Sequence, residues 1–147
     1  MSGGKLISKL NELLANQMVV YVKLRNYHWN ITGPQFYNIH NVTEEFYDQF
    51  ADMVDEVAER IRQLDETPLS TMAGYLEYAS FEEETSTSFT AEEVASRLLE
   101  DFRALHKDSK TIIVVTEEAD DVATADLMSE QIDWLEETIW MLNAFIS

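Results

Sequence analysis

The sequence predicts an all-α protein, a bundle of four long helices with one long crossover. Three observations carry this. Apolar residues recur at helical spacing in four long stretches, and glycine and proline number only four and two in 147 residues. The breaks between those stretches are short, long and short in order. So few turn formers argue against a strand-and-turn architecture, and the length suits a single domain over residues 1–147.

The first helix is read over residues 5–30, where Leu6, Leu10, Leu13, Leu14, Met18, Tyr21 and Val22 make an apolar stripe. Gly33-Pro34 breaks it, because glycine permits the turn and proline pre-sets the next helix start. The second helix, residues 35–64, has the cleanest periodicity, through Ile39, Phe46, Phe50, Val54, Val57, Ile61 and Leu64. Thr67-Pro68 is read as its end. A connection of about 25 residues follows, with a short helix over 72–78 and then a polar Glu/Thr/Ser stretch. Thr90-Ala91-Glu92-Glu93 is a capping box that opens the third long helix. Asp120-Asp121 interrupts again, and a fourth helix carries Leu127, Ile132, Leu135, Ile139, Leu142 and Phe145. Two short connections around one long one describe a ferritin-like four-helix bundle, its crossover carrying a short extra helix between helices 2 and 3.

Composition narrows the function classes. No run approaches the roughly 18 apolar residues that span a bilayer, and the N-terminal stretch lacks a secretory pattern. Cysteine is absent, which removes disulfides and thiolate chemistry. A cytoplasmic protein is the simplest expectation. The formal charge of −18 disfavours nucleic acid and anionic membranes as partners, since both need Lys and Arg at the contact. It also leaves many carboxylates available to hard cations.

The second helix carries a stripe beside its core face. At about 100° per residue, with His40 as origin, Glu44 falls near 40°, Asp55 near 60° and Glu59 near 100°. Most such stripes are solvated acidic faces. Here, however, His28 sits just before the Gly33-Pro34 turn, so His28 and His40 can meet across it. Two imidazoles with nearby carboxylates suit iron, zinc or manganese. Distance limits how such a site is built. Asp55 lies about 22 Å along the helix from His40, and Glu59 about 28 Å, too far to share one metal within a chain. If two copies pair this helix antiparallel about a two-fold near residues 48–50, His40 of one faces Asp55 and Glu59 of the other, and each dimer gains two sites.

The stretch His28-Trp29-Asn30-Ile31-Thr32-Gly33-Pro34-Gln35-Phe36-Tyr37-Asn38-Ile39-His40 closely resembles the signature of the Dps family, the mini-ferritins. Asp55-Glu56-Val57-Ala58-Glu59 continues it at the family's spacing, and Ala125-Asp126 and Ile139-Trp140-Met141-Leu142 extend the likeness along the chain. The resemblance implies a hollow dodecamer with ferroxidase centres at two-fold interfaces, oxidising Fe(II) with hydrogen peroxide and storing ferric mineral. Carried onto this sequence, it implies His28, His40, Asp55 and Glu59 as iron ligands, with Glu44 beside the second, weaker iron. It also implies acidic pores at the start of the fourth helix, lined by Asp121, Asp126 and Glu130. The pattern departs from larger ferritins, whose Glu-x-x-His pairs lie inside one bundle. His106 is read as a surface residue without an acid partner.

Other readings stand beside this one. Trp29, Trp140, Tyr27 and Tyr47 serve either as packing or as interceptors of stray oxidising equivalents. Direct DNA binding is not expected, because only Lys5 and Lys9 precede the body of the first helix and no basic tail follows the last. A helical assembly protein holding zinc structurally is the alternative without catalysis; peroxide turnover separates it from a ferroxidase.

Overall fold

The computed structural model describes residues 2–147, and it is all-helical. Four long helices, α1 (Ser2–Asn30), α2 (Phe36–Gln63), α4 (Ala91–Glu118) and α5 (Val122–Ile146), form the bundle, and the short α3 (Met72–Tyr78) rides on the crossover. This is the ferritin-like arrangement that the periodicity predicts. Leu10, Leu14, Val20 and Leu24 of α1 and Phe50, Val57 and Ile61 of α2 are fully buried, as are Val94, Phe102 and Leu105 of α4 and Met128 and Leu135 of α5. Phe46, Phe50, Phe102 and Trp134 pack ring to ring at 5.5–5.8 Å, tying α2, α4 and α5 at mid-height. Aromatic pairs at this spacing add to plain area burial.

The helix ends explain the topology. Gly33 has φ 110°, a backbone conformation open to glycine, and it lets α1 reverse into α2. The second helix ends at Gln63, within one residue of the predicted end and ahead of the Thr67-Pro68 pair. Asp65 takes φ 63°, its N–H bonds Arg62 O, and Glu66 N–H bonds Ile61 O. That is a Schellman end with aspartate in glycine's usual place. The same device closes α4, where Asp120 has φ 56° and the N–H groups of Asp120 and Asp121 bond Glu117 O and Thr116 O. At the start of α4 the capping box is complete, Thr90 and Glu93 each accepting from the other's backbone N–H.

The crossover is strapped to α1 by polar side chains spaced along that helix. Asn11 Oδ1 accepts from Leu69 N–H, and Asn16 Oδ1 from Ser80 and Phe81 N–H. Asn26 donates to Ser86 O, and Tyr27 Oη donates to Glu84 Oε1 at 3.1 Å. Burial, with the Glu84 carboxylate beside it, holds the Tyr27 phenol far above its ordinary range. The strap ends in an isolated parallel bridge between Ile31 and Phe89, where Thr32 N–H donates to Phe89 O.

Candidate metal centre

That last hydrogen bond shapes the site. In a continuing helix Thr32 N–H would bond His28 O; diverted to Phe89, it leaves His28 O without that partner. His40, on the first turns of α2, supplies one. Its Nδ1 donates to His28 O at 2.8 Å, and His28 Nδ1 donates to His40 O at 2.6 Å. A carbonyl oxygen only accepts, so the proton of each neutral ring lies on Nδ1, and each Nε2 presents its lone pair. Such second contacts orient imidazole ligands toward metals. The rings stack with centroids 3.8 Å apart and planes 16° from parallel. Phe36 stacks on the other face of His40 at 5.0 Å, and Tyr47 meets His28 edge-on at 5.3 Å.

Thr43 was invisible to the sequence reading of the site. It is fully buried, its Oγ1 donates to Ile39 O, and it lies 3.3 Å from His28 Nδ1. A threonine one residue before Glu44 reads as ordinary helix filler, and only the fold shows it under the histidine.

Each expected ligand has a definite place. His28 is 6% exposed. Glu44 is exposed, with Oε1 3.9 Å from His28 Nε2. Asp55 and Glu59 lie one turn apart on the exposed side of α2. A hydrogen bond with Asp55, and then the charge of Asp55, hold Glu59 above the ordinary glutamate value. Within one chain the histidine pair and the acid pair stay apart, about 22 Å along α2. Among the described residues no three His, Asp or Glu side chains gather into a metal-holding group.

The bundle interior offers no second set of carboxylate ligands among the described residues. Its buried polar side chains, among the described residues, are histidine, amides and hydroxyls, with no carboxylate among them. Gln17 Nε2 donates to Gln131 Oε1 at 2.9 Å between α1 and α5, where a carboxylate pair would be needed to bind iron. At the α5 start, Asp121 caps the helix through Thr124 N–H and pairs with Arg60 at 3.0 Å. Burial alone would raise its pKa, but the Thr124 and Arg60 contacts outweigh burial and hold it low. Asp126 and Glu130 are exposed one turn apart beyond it. His106 differs from expectation: Glu136, on α5, accepts from its Nε2 at 2.7 Å. The acid partner lies on the neighbouring helix, where a search along its own helix misses it.

The profile of a ferritin-like domain matches residues 7–147. The DNA protection during starvation protein of Helicobacter pylori is 38% identical over 138 residues, covering 94% of this chain and 96% of the relative. The chain belongs to the Dps family. The protein of the same name from Brevibacillus brevis is 42% identical over 137 residues, 93% of this chain and 91% of its own. Among solved structures, the Dps protein of Vibrio cholerae O1 superposes with a TM-score of 0.96 at 37% identity, over 99% of this chain and 91% of that one. It is described as a member of a broad superfamily of ferritin-like diiron-carboxylate proteins. Dps membership sets the functional class as iron storage and protection from oxidative damage. No helix of the described residues is long and apolar enough to cross a membrane.

Proposed function

We propose that this Dps-family chain is a ferroxidase whose site is completed by a second copy of itself, and that it stores the ferric product inside a hollow dodecamer. The observation that carries this is the reciprocal hydrogen bonding of His28 and His40, which leaves two Nε2 lone pairs free with too few ligands among the described residues of their own chain. Asp55 and Glu59 of the partner supply the missing oxygens. Pairing α2 antiparallel about a two-fold axis makes the contact isologous, so each dimer carries two equivalent sites. Val22 of α1 and Met72, Leu76 and Tyr78 of α3 add exposed apolar side chains of the kind that association with a second copy would cover.

Iron is the substrate. Two Fe(II) ions at one site give two electrons together to one hydrogen peroxide, which takes up two protons and leaves as two waters. Delivering the electrons as a pair avoids hydroxyl radical. The chain's residues do four things: the imidazoles bind through Nε2, their Nδ1 protons hold ring orientation, Glu44 stands by His28, and the acid pair neutralises cation charge. Zinc or manganese fits the same donor set as a substitute. Asp126 and Glu130 form acidic rings at a three-fold pore that draw cations inward, with Asp121 setting the helix start beside them. With a net charge of −18, direct DNA contact is not part of the function, and the protein acts in the cytoplasm.

The test is anaerobic Fe(II) loading of metal-free protein, then a stoichiometric pulse of peroxide, followed by ferric absorbance. Oxidation of about two Fe(II) per peroxide, lost in a His28→Ala/His40→Ala variant of equal assembly state, supports the proposal. Equal rates for wild type, variant and protein-free buffer contradict it.

A further inference from the structure

Four aromatic residues are candidates for intercepting stray oxidising equivalents, and the structure treats them differently. Trp29 and Trp140 are 66% and 68% exposed, and Tyr27 commits its hydroxyl to Glu84 and its ring to Phe89. Tyr47 alone of the four has its ring against a site histidine, 5.3 Å from His28. On the outer face of the stack, His40 meets Phe36, a ring that resists one-electron oxidation. A phenol therefore stands at one end of the imidazole pair and an inert ring at the other.

The phenol has a neighbour. The Tyr21 ring lies 6.3 Å from Tyr47, edge to face, and Arg25 joins the two: its guanidinium sits 3.8 Å over the Tyr47 ring and donates to Tyr21 Oη at 2.9 Å. Arginine stays charged throughout the working pH range. A cation over the ring face opposes a positively charged ring, so Tyr47 loses its electron only together with its phenolic proton. The N–H donated to Tyr21 favours electron density on that oxygen.

We infer that Tyr47 and Tyr21, held together by Arg25, form a two-step relay that takes a one-electron oxidising equivalent away from His28. The relay rests on the ferroxidase reading, which supplies the oxidant. When one Fe(II) meets peroxide alone, it gives one electron, yielding Fe(III), hydroxide and hydroxyl radical. The radical takes a hydrogen atom from the Tyr47 hydroxyl, forming water and a neutral phenoxyl. Tyr47 recovers that hydrogen atom from Tyr21, whose phenoxyl is reduced by a later Fe(II) with uptake of one proton. Each turn thus converts a damaging radical into water and a second Fe(III), and spares the imidazole.

The experiment is freeze-quench electron paramagnetic resonance on assembled protein given one Fe(II) per site and then peroxide, with ring-deuterated tyrosine to identify phenoxyl. Ferric absorbance and oxidation of His28, by peptide mass, are read on the same samples. Wild type is expected to show a tyrosyl signal that narrows on deuteration. Tyr47→Phe, which keeps the ring and its packing, loses the signal and gains several-fold more oxidised His28. Tyr21→Phe keeps a signal of altered line shape, now on Tyr47. Fast iron oxidation without any tyrosyl signal, or a Tyr47→Phe variant matching wild type in signal and His28 oxidation, overturns the relay alone. An unaltered line shape in Tyr21→Phe removes the second step. Iron oxidation no faster than in buffer overturns the relay and the ferroxidase reading together.

Discussion

His28 and His40 each donate a ring proton to the other's backbone carbonyl, at 2.6 and 2.8 Å, so that two helices lock each other's imidazoles in one tautomer. Replacing either residue removes a ligand and also frees the remaining ring to turn. Single His28→Ala and His40→Ala variants should therefore lose nearly as much zinc affinity as the double variant. The losses should be non-additive, as expected for coupled neighbours. Isothermal titration with Zn(II) on assembled protein measures this; strictly additive losses would show independent ligands.

A hydrogen bond with Asp55, and then the charge of Asp55, raise Glu59 above the ordinary glutamate pKa of about 4.3. Asp55→Asn should bring Glu59 back toward that value, because its first cause, the Asp55 hydrogen bond, and the negative charge both change. Carbon-detected NMR titration of the metal-free protein reads the shift. A Glu59 titration unchanged by the substitution would mean the two carboxylates do not meet.

Asp121 is held below the usual aspartate range, so its folded pKa is depressed relative to the unfolded chain. The stabilisation is then present above the unfolded value, about 3.9, and is lost as pH falls through the folded value. Asp121→Ala should cost about 0.5–2 kcal/mol at neutral pH, the usual range for a lost cap. The difference from wild type should shrink as pH is taken below the ordinary aspartate range. Denaturant midpoints at pH 7 and at acid pH test both halves; a pH-independent difference would show that charge plays no part.

The fold was legible because its information is local. The stripes of α2 and α4, the Gly33-Pro34 turn and the Thr90 capping box each sit within a few residues of the feature they cause. The position of the α2 end was legible but its cause was not: Asp65 takes a conformation glycine more often fills, and Thr67-Pro68 is a louder signal nearby. At the candidate site, the spacing of His40, Glu44, Asp55 and Glu59 along α2 was readable from the sequence. Partners from other helices were not, since Glu136 beside His106, Arg60 beside Asp121 and Tyr47 beside His28 are set by packing register.

Lys23 and Asp101 pair at 3.0 Å between α1 and α4 with side chains only 11% and 14% exposed. Burial pushes the Asp101 pKa up even with Lys23 beside it. Removing one partner strands the other, so Lys23→Ala should destabilise by about 3–5 kcal/mol, whereas Lys23→Met/Asp101→Leu should recover most of that. Chemical denaturation of the three proteins decides it; an apolar pair no more stable than Lys23→Ala would contradict the account.

The most direct test of a site shared between chains is complementation. Two variants, His28→Ala/His40→Ala and Asp55→Asn/Glu59→Gln, each lack a functional site as pure assemblies. Unfolded together in equal amounts and reassembled, about half the dimers are mixed, and each mixed dimer regains one of its two sites. Peroxide-dependent Fe(II) oxidation should return to about one quarter of wild type. Activity no greater than the mean of the two pure variants would place the ligands within one chain and contradict the shared site.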